Sequence, residues 1–518
     1  FFASFFHYRN FVVKLTTMIY PLNFEQKIGF DHVRQLLKGK CLSPLGIEKV
    51  EDMDFSGDFN IINCRLDQVV EFMRILQEED DFPCQYFFDV RPSLRRIKVD
   101  GMYMDEQELF DLRRSLETIR DIIRFLQQTD DEGEGDNDSL PYPALSELAG
   151  DIMTFPQLIT RINNILDKFG KMKDNASVEL LRIRRELSAT TGSISRSLNS
   201  ILRAAQSDGY VDKDVTPTMR DGRLVIPVAP GMKRKIRGIV HDESATGKTV
   251  FIEPAEVVEA NNRIRELEGE ERREIIRILT EFSAVVRPQV PAILSSYEFL
   301  AEIDFIRAKA VFSIEAKACK PDVEDRQIVD WFEAVHPLLQ MSLTKHGKKV
   351  VPLDIELTPE KRILLISGPN AGGKSVCLKT VGLLQYMLQC GVPIPMHERS
   401  HVGIFESIFI DIGDEQSIED DLSTYSSHLT NMKNMMKGCN GRSLILIDEF
   451  GGGTEPQIGG AIAEAVLKRF NQKGTFGVIT THYQNLKHFA ENHEGVVNGA
   501  MLYDRHEMKA LFQLQIGN

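Results

Sequence analysis

The sequence predicts a multidomain protein in which a mostly helical N-terminal part with a small β-rich tip precedes a layered α/β domain. Three observations indicate this fold class. The chain has 518 residues and 42% hydrophobic content, enough for roughly three or four hydrophobic cores. Apolar residues recur at helical spacing through most of the chain before Pro321. After Pro321, short apolar runs alternate with helical patterns, which is typical of a largely parallel sheet covered by helices.

Residues 1–17 are aromatic and basic, contain no acidic residue and do not begin with methionine. They lack the apolar core and cleavage site of a signal peptide, so we interpret them as a non-native extension before a start at Met18. Residues 18–128 are expected to form a mostly helical domain, with helices over 24–38, 67–78 and 105–127. The acidic, glycine-containing stretch 129–138 is better explained as a solvated linker than as a metal or partner site.

Residues 139–325 are expected to form a helical core with an arm that ends in a tip at about 210–255. One long helix is predicted over 178–205, and helix returns at Pro254 with breaks at later prolines. Between these helices lie three short β-rich runs, 223–228, 236–240 and 249–252. A helix leading out, a β tip and a helix leading back describe an arm with a module at its end.

The tip is basic although the protein is acidic. The formal net charge of −14 excludes bulk attraction to a polyanion, so any nucleic-acid contact requires a local basic patch. The tip supplies one in the four cations Lys233, Arg234, Lys235 and Arg237. Such a cluster is usually a solvated face, but its contrast with the net charge gives polyanion contact equal weight.

The α/β domain, residues 326–518, contains a phosphate-binding loop directly after the apolar run 362–367. The eight residues from Gly368 to Ser375 match the phosphate-loop pattern at every defined position. Glycines let backbone N–H groups turn toward phosphate oxygens, Lys374 carries a charge to the β- and γ-phosphates, and the Ser375 hydroxyl can ligate Mg²⁺. A helix predicted over 376–389 points its positive end at the same anion. We therefore expect a nucleoside triphosphate to contact Gly368, Pro369, Asn370, Ala371, Gly372, Gly373, Lys374, Ser375 and Val376.

A second stretch, within the tip, resembles the end of the phosphate-loop pattern. Residues 245–249 read Ala-Thr-Gly-Lys-Thr, but the position of the first loop glycine is Asp242. No apolar strand leads directly into it, so we reject a second nucleotide site.

Two further strands are predicted to end in polar residues at the same sheet edge. The aliphatic run 444–447 leads into Asp448, expected in the Mg²⁺ shell, and Glu449, expected to be the general base. The alternative is that Asp448 and Glu449 are an ordinary acidic pair on the surface. The four aliphatic residues that precede them indicate a buried strand and argue against this alternative. The run that starts at residue 477 ends in His482. Taken alone, this residue would be an ordinary histidine at the end of a strand. Because it lies at the same sheet edge as Asp448 and Glu449, we interpret it as a γ-phosphate sensor. The domain is completed by a predicted strand over 407–410 and helices over 424–436 and 459–470.

These motifs together resemble the ATPase domain of the MutS family. The resemblance is carried by Gly-Pro-Asn-Ala-Gly-Gly-Lys-Ser (368–375), Asp-Glu-Phe-Gly-Gly-Gly-Thr-Glu-Pro (448–456) and Thr-Thr-His-Tyr (480–483). Segments 238–254 and 411–428 resemble the second bacterial paralogue rather than the mismatch-repair protein. The resemblance runs from about residue 22 to the end. It implies an ABC-type ATPase that uses ATP and Mg²⁺, with the arm as a lever and clamp.

The same resemblance implies a homodimer. Segment 422–426 resembles the ABC signature, whose Ser423 would reach the γ-phosphate bound by the partner, and loop 451–456 corresponds to the loop that meets the partner. In the mechanism this implies, ATP closes the ATPase pair, the levers transmit the change, and hydrolysis reopens the clamp.

Two departures from the family bear on function. No mismatch-reading N-terminal domain with its Phe-x-Glu wedge is found, so mismatch reading is not expected. The chain also stops at 513–518, where this branch continues with dimer-supporting helices and a small Smr nuclease domain. We therefore expect a fragment to which endonuclease activity is not assigned.

Two functions remain open. The leading hypothesis is an ATP-dependent clamp on branched or junction DNA that limits recombination. The alternative is a ribosome-associated ATPase that contacts rRNA and splits stalled or collided ribosomes. A purely structural SMC-like ATPase is disfavoured because the helical arms are tens of residues long, not hundreds. Seven unpatterned cysteines indicate reduced thiols in the cytoplasm, and no apolar run reaches the length of a membrane span.

Overall fold

The computed structural model describes residues 18–79, 81–128, 140–220, 223–368, 373–413, 424–452, 455–504 and 509–517. The chain divides into two compact units. The first, here called the sheet unit, contains residues 1–87, 121–152 and 298–518. The second, the arm unit, contains residues 88–120 and 153–297. This partition cuts across the domain boundaries at 128, 139 and 326, which stay a prediction.

The elements are numbered along the chain. The strands are β1 (Met18–Tyr20), β2 (Thr218–Arg220), β3 (Arg223–Val228), β4 (Gly238–Glu243), β5 (Val250–Pro254), β6 (Asp322–Glu324), β7 (Val329–Ala334), β8 (Leu353–Leu357), β9 (Lys361–Ser367), β10 (His401–Gly403), β11 (Ser407–Asp411), β12 (Ser443–Ile447), β13 (Phe476–Thr480), β14 (Gly495–Asp504) and β15 (Lys509–Ile516). The helices are α1 (Phe24–Ile28), α2 (Phe30–Lys38), α3 (Pro44–Glu51), α4 (Phe59–Glu78), α5 (Arg91–Arg96), α6 (Glu106–Leu126), α7 (Pro143–Ala149), α8 (Pro156–Ile165), α9 (Val178–Ser207), α10 (Ala255–Val286), α11 (Val290–Glu315), α12 (Pro337–Lys345), α13 (Lys374–Gln389), α14 (Thr424–Gly438), α15 (Pro456–Gln472) and α16 (Gln484–Asn492).

The sheet unit is built on a sheet with the strand order β1-β11-β12-β13-β9-β14-β15. Neighbouring strands from β1 to β14 run parallel, and only β15 is antiparallel to its neighbour β14. Strands β11, β12 and β13 are buried along their whole length, which explains their continuous aliphatic character. Because parallel strands end at one edge, the carboxyl ends of β9, β11, β12 and β13 lie side by side. Multidomain architecture with helical and mixed sheet content is thereby confirmed.

Several short elements of the sheet unit differ from the sequence expectations. Residues 18–20 lie in a stretch predicted to be helical, but they form the edge strand β1 against β11. A second, mixed sheet with the order β6-β10-β7-β8 was not predicted. The helix predicted over 24–38 is broken at Gly29, whose φ of +84° is left-handed and ends α1 with α2 directly after it.

The arm unit contains the two long helices α9 and α10, which occupy the stretches before and after the tip where helices were predicted. Ion pairs cross between them, such as Arg184 with Glu271 and Arg263 with Glu186. The tip is the antiparallel sheet β2-β3-β5-β4, packed on both helices through an apolar cluster that includes Leu198. The strand predicted over 236–240 is displaced to β4.

Residues 245–249, rejected above as a second nucleotide site, form the hairpin connection between β4 and β5. A strand follows them instead of a helix, so they provide no helix N-terminus for a phosphate.

Among the residues that the structure describes, no helix has the length and apolar character needed to span a bilayer.

One buried charge in the sheet unit gives a test of this packing. Lys309 on α11 is 2% exposed. Its Nζ lies 3.5 Å from the carbonyl oxygen of Cys390, the residue directly after α13, and 4.0 Å from the centroid of the Phe305 ring. Burial, with a further contribution from Arg65, lowers the pKa of Lys309 from an ordinary 10.5 to about 7.

We expect Lys309→Met to stabilise the fold more at pH 6 than at pH 10. Below pH 7 the ammonium is charged and its burial cost is fully present, whereas between pH 7 and 10.5 only the unfolded chain keeps the proton, so wild-type stability rises. The gain in unfolding free energy should shrink by roughly 4 kcal/mol between pH 6 and pH 10. Urea unfolding at both pH values measures it, with exposed Lys437→Met as the control; a gain that does not depend on pH would contradict the prediction.

Candidate functional site

The phosphate-loop sequence connects β9 to α13. Strand β9 ends at Ser367, and α13 begins at Lys374 with Gly373 as its N-cap. Gly368 and Gly373 have φ values of +140° and +90°, conformations that glycine adopts without strain. Four of the expected contact residues lie outside the described residues, namely Pro369, Asn370, Ala371 and Gly372. The structure thus has the strand and helix that a phosphate loop requires on either side.

Lys374 lies at the start of α13 and is 2% exposed. Its Nζ donates a hydrogen bond to the Gly368 carbonyl oxygen at 2.7 Å and lies 3.2 Å from His482 Nε2. Burial lowers the pKa of Lys374, although the nearby carboxylates of Asp448 and Glu449 oppose this effect. The lysine, the histidine and the two acids, predicted from three separate segments, therefore meet at one sheet edge.

The acidic pair is held by backbone and hydroxyl contacts. The Asp448 N–H donates to the Asp411 carbonyl oxygen at 2.9 Å, which joins the ends of β11 and β12. The hydroxyl of Thr480, the last residue of β13, donates to Asp448 Oδ1 and accepts the Glu449 N–H at 2.8 Å. Glu449 has a φ of +50°, unusual for a residue with a side chain. Asp448 is half-buried and Glu449 is exposed, so a water molecule can reach the second carboxylate.

His482 is exposed and follows β13 after Thr481. The Thr481 N–H donates to the Ile366 carbonyl oxygen of β9 at 3.1 Å, which brings the histidine close to the start of the phosphate loop. The next residue, Tyr483, donates its hydroxyl to the Gly451 carbonyl oxygen at 2.8 Å. The His482 segment is thereby fixed to both neighbouring loops.

The residues predicted to hold Mg²⁺ have suitable donor atoms. Mg²⁺ prefers oxygen ligands, and phosphate-loop sites combine a serine or threonine hydroxyl with a carboxylate. Ser375 is exposed in the first turn of α13, and Asp448 uses Oδ1 for the bond from Thr480. The donor set therefore fits a magnesium ion. Ser423, expected to act on the partner's nucleotide, lies outside the described residues.

The structure also adds residues to this edge that sequence reasoning missed. Asp411 ends β11 and is 2% exposed; its Oδ2 lies 2.6 Å from His428 Nδ1, and its Oδ1 accepts from Asn431 at 2.9 Å. Its place after an apolar run, like that of Asp448, was a usable signal.

Phe512 on β15 is the second addition to this edge. A Cβ built on Gly373 would lie 2.9 Å from its ring, so the ring packs against the loop glycine while the residue stays 51% exposed. No sequence signal indicated this contact.

The cations predicted at the tip follow β3 and lead into β4. Lys233, Arg234, Lys235 and Arg237 are all exposed, and Lys235 Nζ lies 5.6 Å from the Tyr210 ring centroid. The four side chains belong to the arm unit and lie within residues 233–237, where the buried Ile236 separates Arg237 from the other three.

The sequence of the chain was compared with those of known protein families and proteins. The family model for MutS domain V matches residues 364–518. The protein named endonuclease MutS2 from Geobacillus sp. (strain WCH70) is 38% identical over 490 residues, which are 95% of this chain and 61% of that protein. The proteins of the same name from Caldanaerobacter subterraneus subsp. tengcongensis and Alkaliphilus oremlandii are 36% and 37% identical, each over 95% of this chain and 60% of their own length. The chain thus spans about three fifths of the length of the relatives that it matches. It belongs to the MutS family, in the branch of the second bacterial paralogue.

Proposed function

We propose that this chain is the clamp and ATPase part of a dimeric, ATP-dependent MutS-type protein that acts on branched or junction DNA and limits recombination. The observation that carries the ATPase assignment is the meeting of Lys374 with His482, 3.2 Å apart, at the sheet edge that also holds Asp448 and Glu449. A protein that bound ATP without hydrolysing it would need the lysine of the loop but no carboxylate beside it. A carboxylate beside it, exposed to water, supports hydrolysis.

Each residue has a separate task in this reaction. Lys374 contacts the β- and γ-phosphates, and His482 senses the γ-phosphate from the neighbouring strand end. Glu449 orients the attacking water and accepts its proton. Ser375 and Asp448 would hold Mg²⁺, whose charge offsets the charge that develops on the phosphates.

Phe512 completes the proposed nucleotide site. Its ring is half-exposed and packs against Gly373, the N-cap of α13. An aromatic face beside the phosphates suits stacking on the adenine base. We therefore propose Phe512 as the contact for the adenine base, which the sequence alone did not indicate.

The dimer and the clamp rest on family resemblance. Ser423 would act in trans on the partner's nucleotide, so each complete site would need two chains. ATP binding would close the pair and hydrolysis would reopen it, with the arm unit as the part that grips nucleic acid.

The exposed cations at the tip support contact with a phosphate backbone. We expect the simultaneous change of Lys233, Arg234, Lys235 and Arg237 to glutamine to weaken binding of a four-way DNA junction at least about tenfold at low salt. Each lost phosphate contact should reduce the slope of log affinity against log salt by about 0.9. Fluorescence anisotropy across a salt series measures both quantities.

The control for this prediction removes the same charge elsewhere, through glutamine at the exposed residues Lys317, Lys345, Lys348 and Lys349. Junction affinity should then remain near wild type. If the tip variant binds like wild type, the tip is a solvated surface without a role in binding. If both variants lose affinity equally, the loss reflects net charge and the tip is not a specific binding site.

The alternative partner is the ribosome, because rRNA phosphates attract the tip cations as DNA phosphates do. Steady-state ATP hydrolysis separates the two functions when a four-way junction, a linear duplex or ribosomes are added. Stimulation by the junction above the duplex supports recombination control. Stimulation by ribosomes alone would replace this proposal with ribosome splitting.

A further inference from the structure

We propose that Thr480 is the positioning residue of the acidic pair, an inference that rests on the proposed ATPase function. Its hydroxyl contacts both acids at once, donating to Asp448 Oδ1 and accepting the Glu449 N–H at 2.8 Å. Thr480 is fully buried at the end of β13, so its position is fixed by the central sheet. One oxygen atom therefore sets the direction of the metal-facing carboxylate and the backbone of the base.

Glu449 needs this support because its backbone is in the left-handed region, with a φ of +50°. Residues with a Cβ pay on the order of 1 kcal/mol or more for this conformation, which persists only when neighbouring contacts hold it. Two backbone bonds contribute, from the Phe450 N–H to the Thr480 carbonyl oxygen and from the Gly452 N–H to the Glu449 carbonyl oxygen, each 2.9 Å. The bond from the Glu449 N–H itself ends on the Thr480 hydroxyl.

Substitution can isolate this hydroxyl. Valine has nearly the shape of threonine and suits a buried strand, and the backbone bond from Phe450 does not depend on the side chain. Thr480→Val thus leaves the Glu449 N–H and Asp448 Oδ1 without their shared partner while the sheet stays packed. Thr480→Ser removes a methyl group and keeps the hydroxyl.

The effect should fall on turnover and not on nucleotide binding. ATP affinity depends on Lys374 and the phosphate loop, which Thr480 does not contact through any hydrogen bond among the described residues. We expect Thr480→Val to lower kcat by between tenfold and a hundredfold while the Kd for ATP changes less than threefold. A higher Mg²⁺ concentration should be required for half-maximal rate, because Asp448 is no longer oriented. Thr480→Ser should restore most of kcat.

Thr475 provides a matched control, since it is fully buried one residue before the same strand. Its Oγ1 has no hydrogen-bond partner among the described residues. Thr475→Val therefore makes the same chemical change without removing a contact, so kcat should stay near wild type and the unfolding midpoint should not fall.

The experiment measures kcat, ATP affinity by titration with a fluorescent ATP analogue, and the thermal unfolding midpoint for wild type and the three variants. Selective loss of kcat in Thr480→Val, rescued by serine, supports positioning. Wild-type kcat in Thr480→Val overturns the inference, and so does a parallel loss of ATP affinity, midpoint and turnover, which indicates a merely structural role. If the wild-type chain binds ATP but never hydrolyses it, the proposed ATPase function fails first and this inference fails with it.

Discussion

A Lys374→Ala variant is expected to lose at least about a hundredfold in ATP affinity. The ammonium is buried at the head of α13, where low solvent access strengthens its attraction to phosphate oxygens. Charge-assisted hydrogen bonds of this kind contribute on the order of 1.5–3 kcal/mol each, and Lys374 can make more than one. Equilibrium titration with a fluorescent ATP analogue measures the loss.

Lys379→Ala is the matched control for this prediction, because Lys379 lies on the same helix five residues further along. It should bind the analogue like wild type. If Lys374→Ala keeps its affinity, the loop between β9 and α13 is not a phosphate site, and the nucleotide assignment fails.

Unlike Lys374→Ala, the Glu449→Gln variant should retain ATP binding. Its turnover should be reduced by about a hundredfold to ten-thousandfold. Glutamine keeps the shape and the backbone bond to Thr480 but cannot accept a proton from water. Because hydrolysis would reopen the clamp, the variant should accumulate as an ATP-bound dimer. Phosphate release and analytical ultracentrifugation with ATP measure the two effects.

The control here is Glu491→Gln, which neutralises an exposed acid of the sheet unit. Its turnover and its association state should match those of wild type. Wild-type turnover in Glu449→Gln would exclude Glu449 as the base and leave hydrolysis to another group at the sheet edge.

The sequence predicted the elements of the fold that have long, regular patterns. Strands β9, β12 and β13 were found because buried parallel strands are continuous aliphatic runs, and α9 because thirty residues keep one helical period. Strand β1 has three residues, too few to establish a period, and its pairing with β11 joins residues almost 400 positions apart. The second sheet is likewise made of short strands whose order mixes distant segments.

The same reasoning explains which candidate site residues could be predicted from the sequence. The phosphate loop and the Asp448–Glu449 pair are contiguous motifs, so their residue types alone indicated their chemistry. Thr480 lies in the recognised segment 480–483, but its role depends on a contact with residue 449, 31 positions away. Phe512 reaches Gly373 only because β14 and β15 extend the sheet beside β9. Such contacts are set by strand order, which a single sequence does not specify.

The most direct test of the account is steady-state phosphate release by the chain with ATP and Mg²⁺, alone and with a four-way DNA junction. We expect measurable turnover, stimulated by the junction above the level reached with linear duplex. Lys374→Ala and Glu449→Gln should each lower this turnover by at least about a hundredfold. Turnover that survives both substitutions would contradict the assignment of this sheet edge as the hydrolytic site. Absence of ATP binding by the wild-type chain would refute the nucleotide site itself.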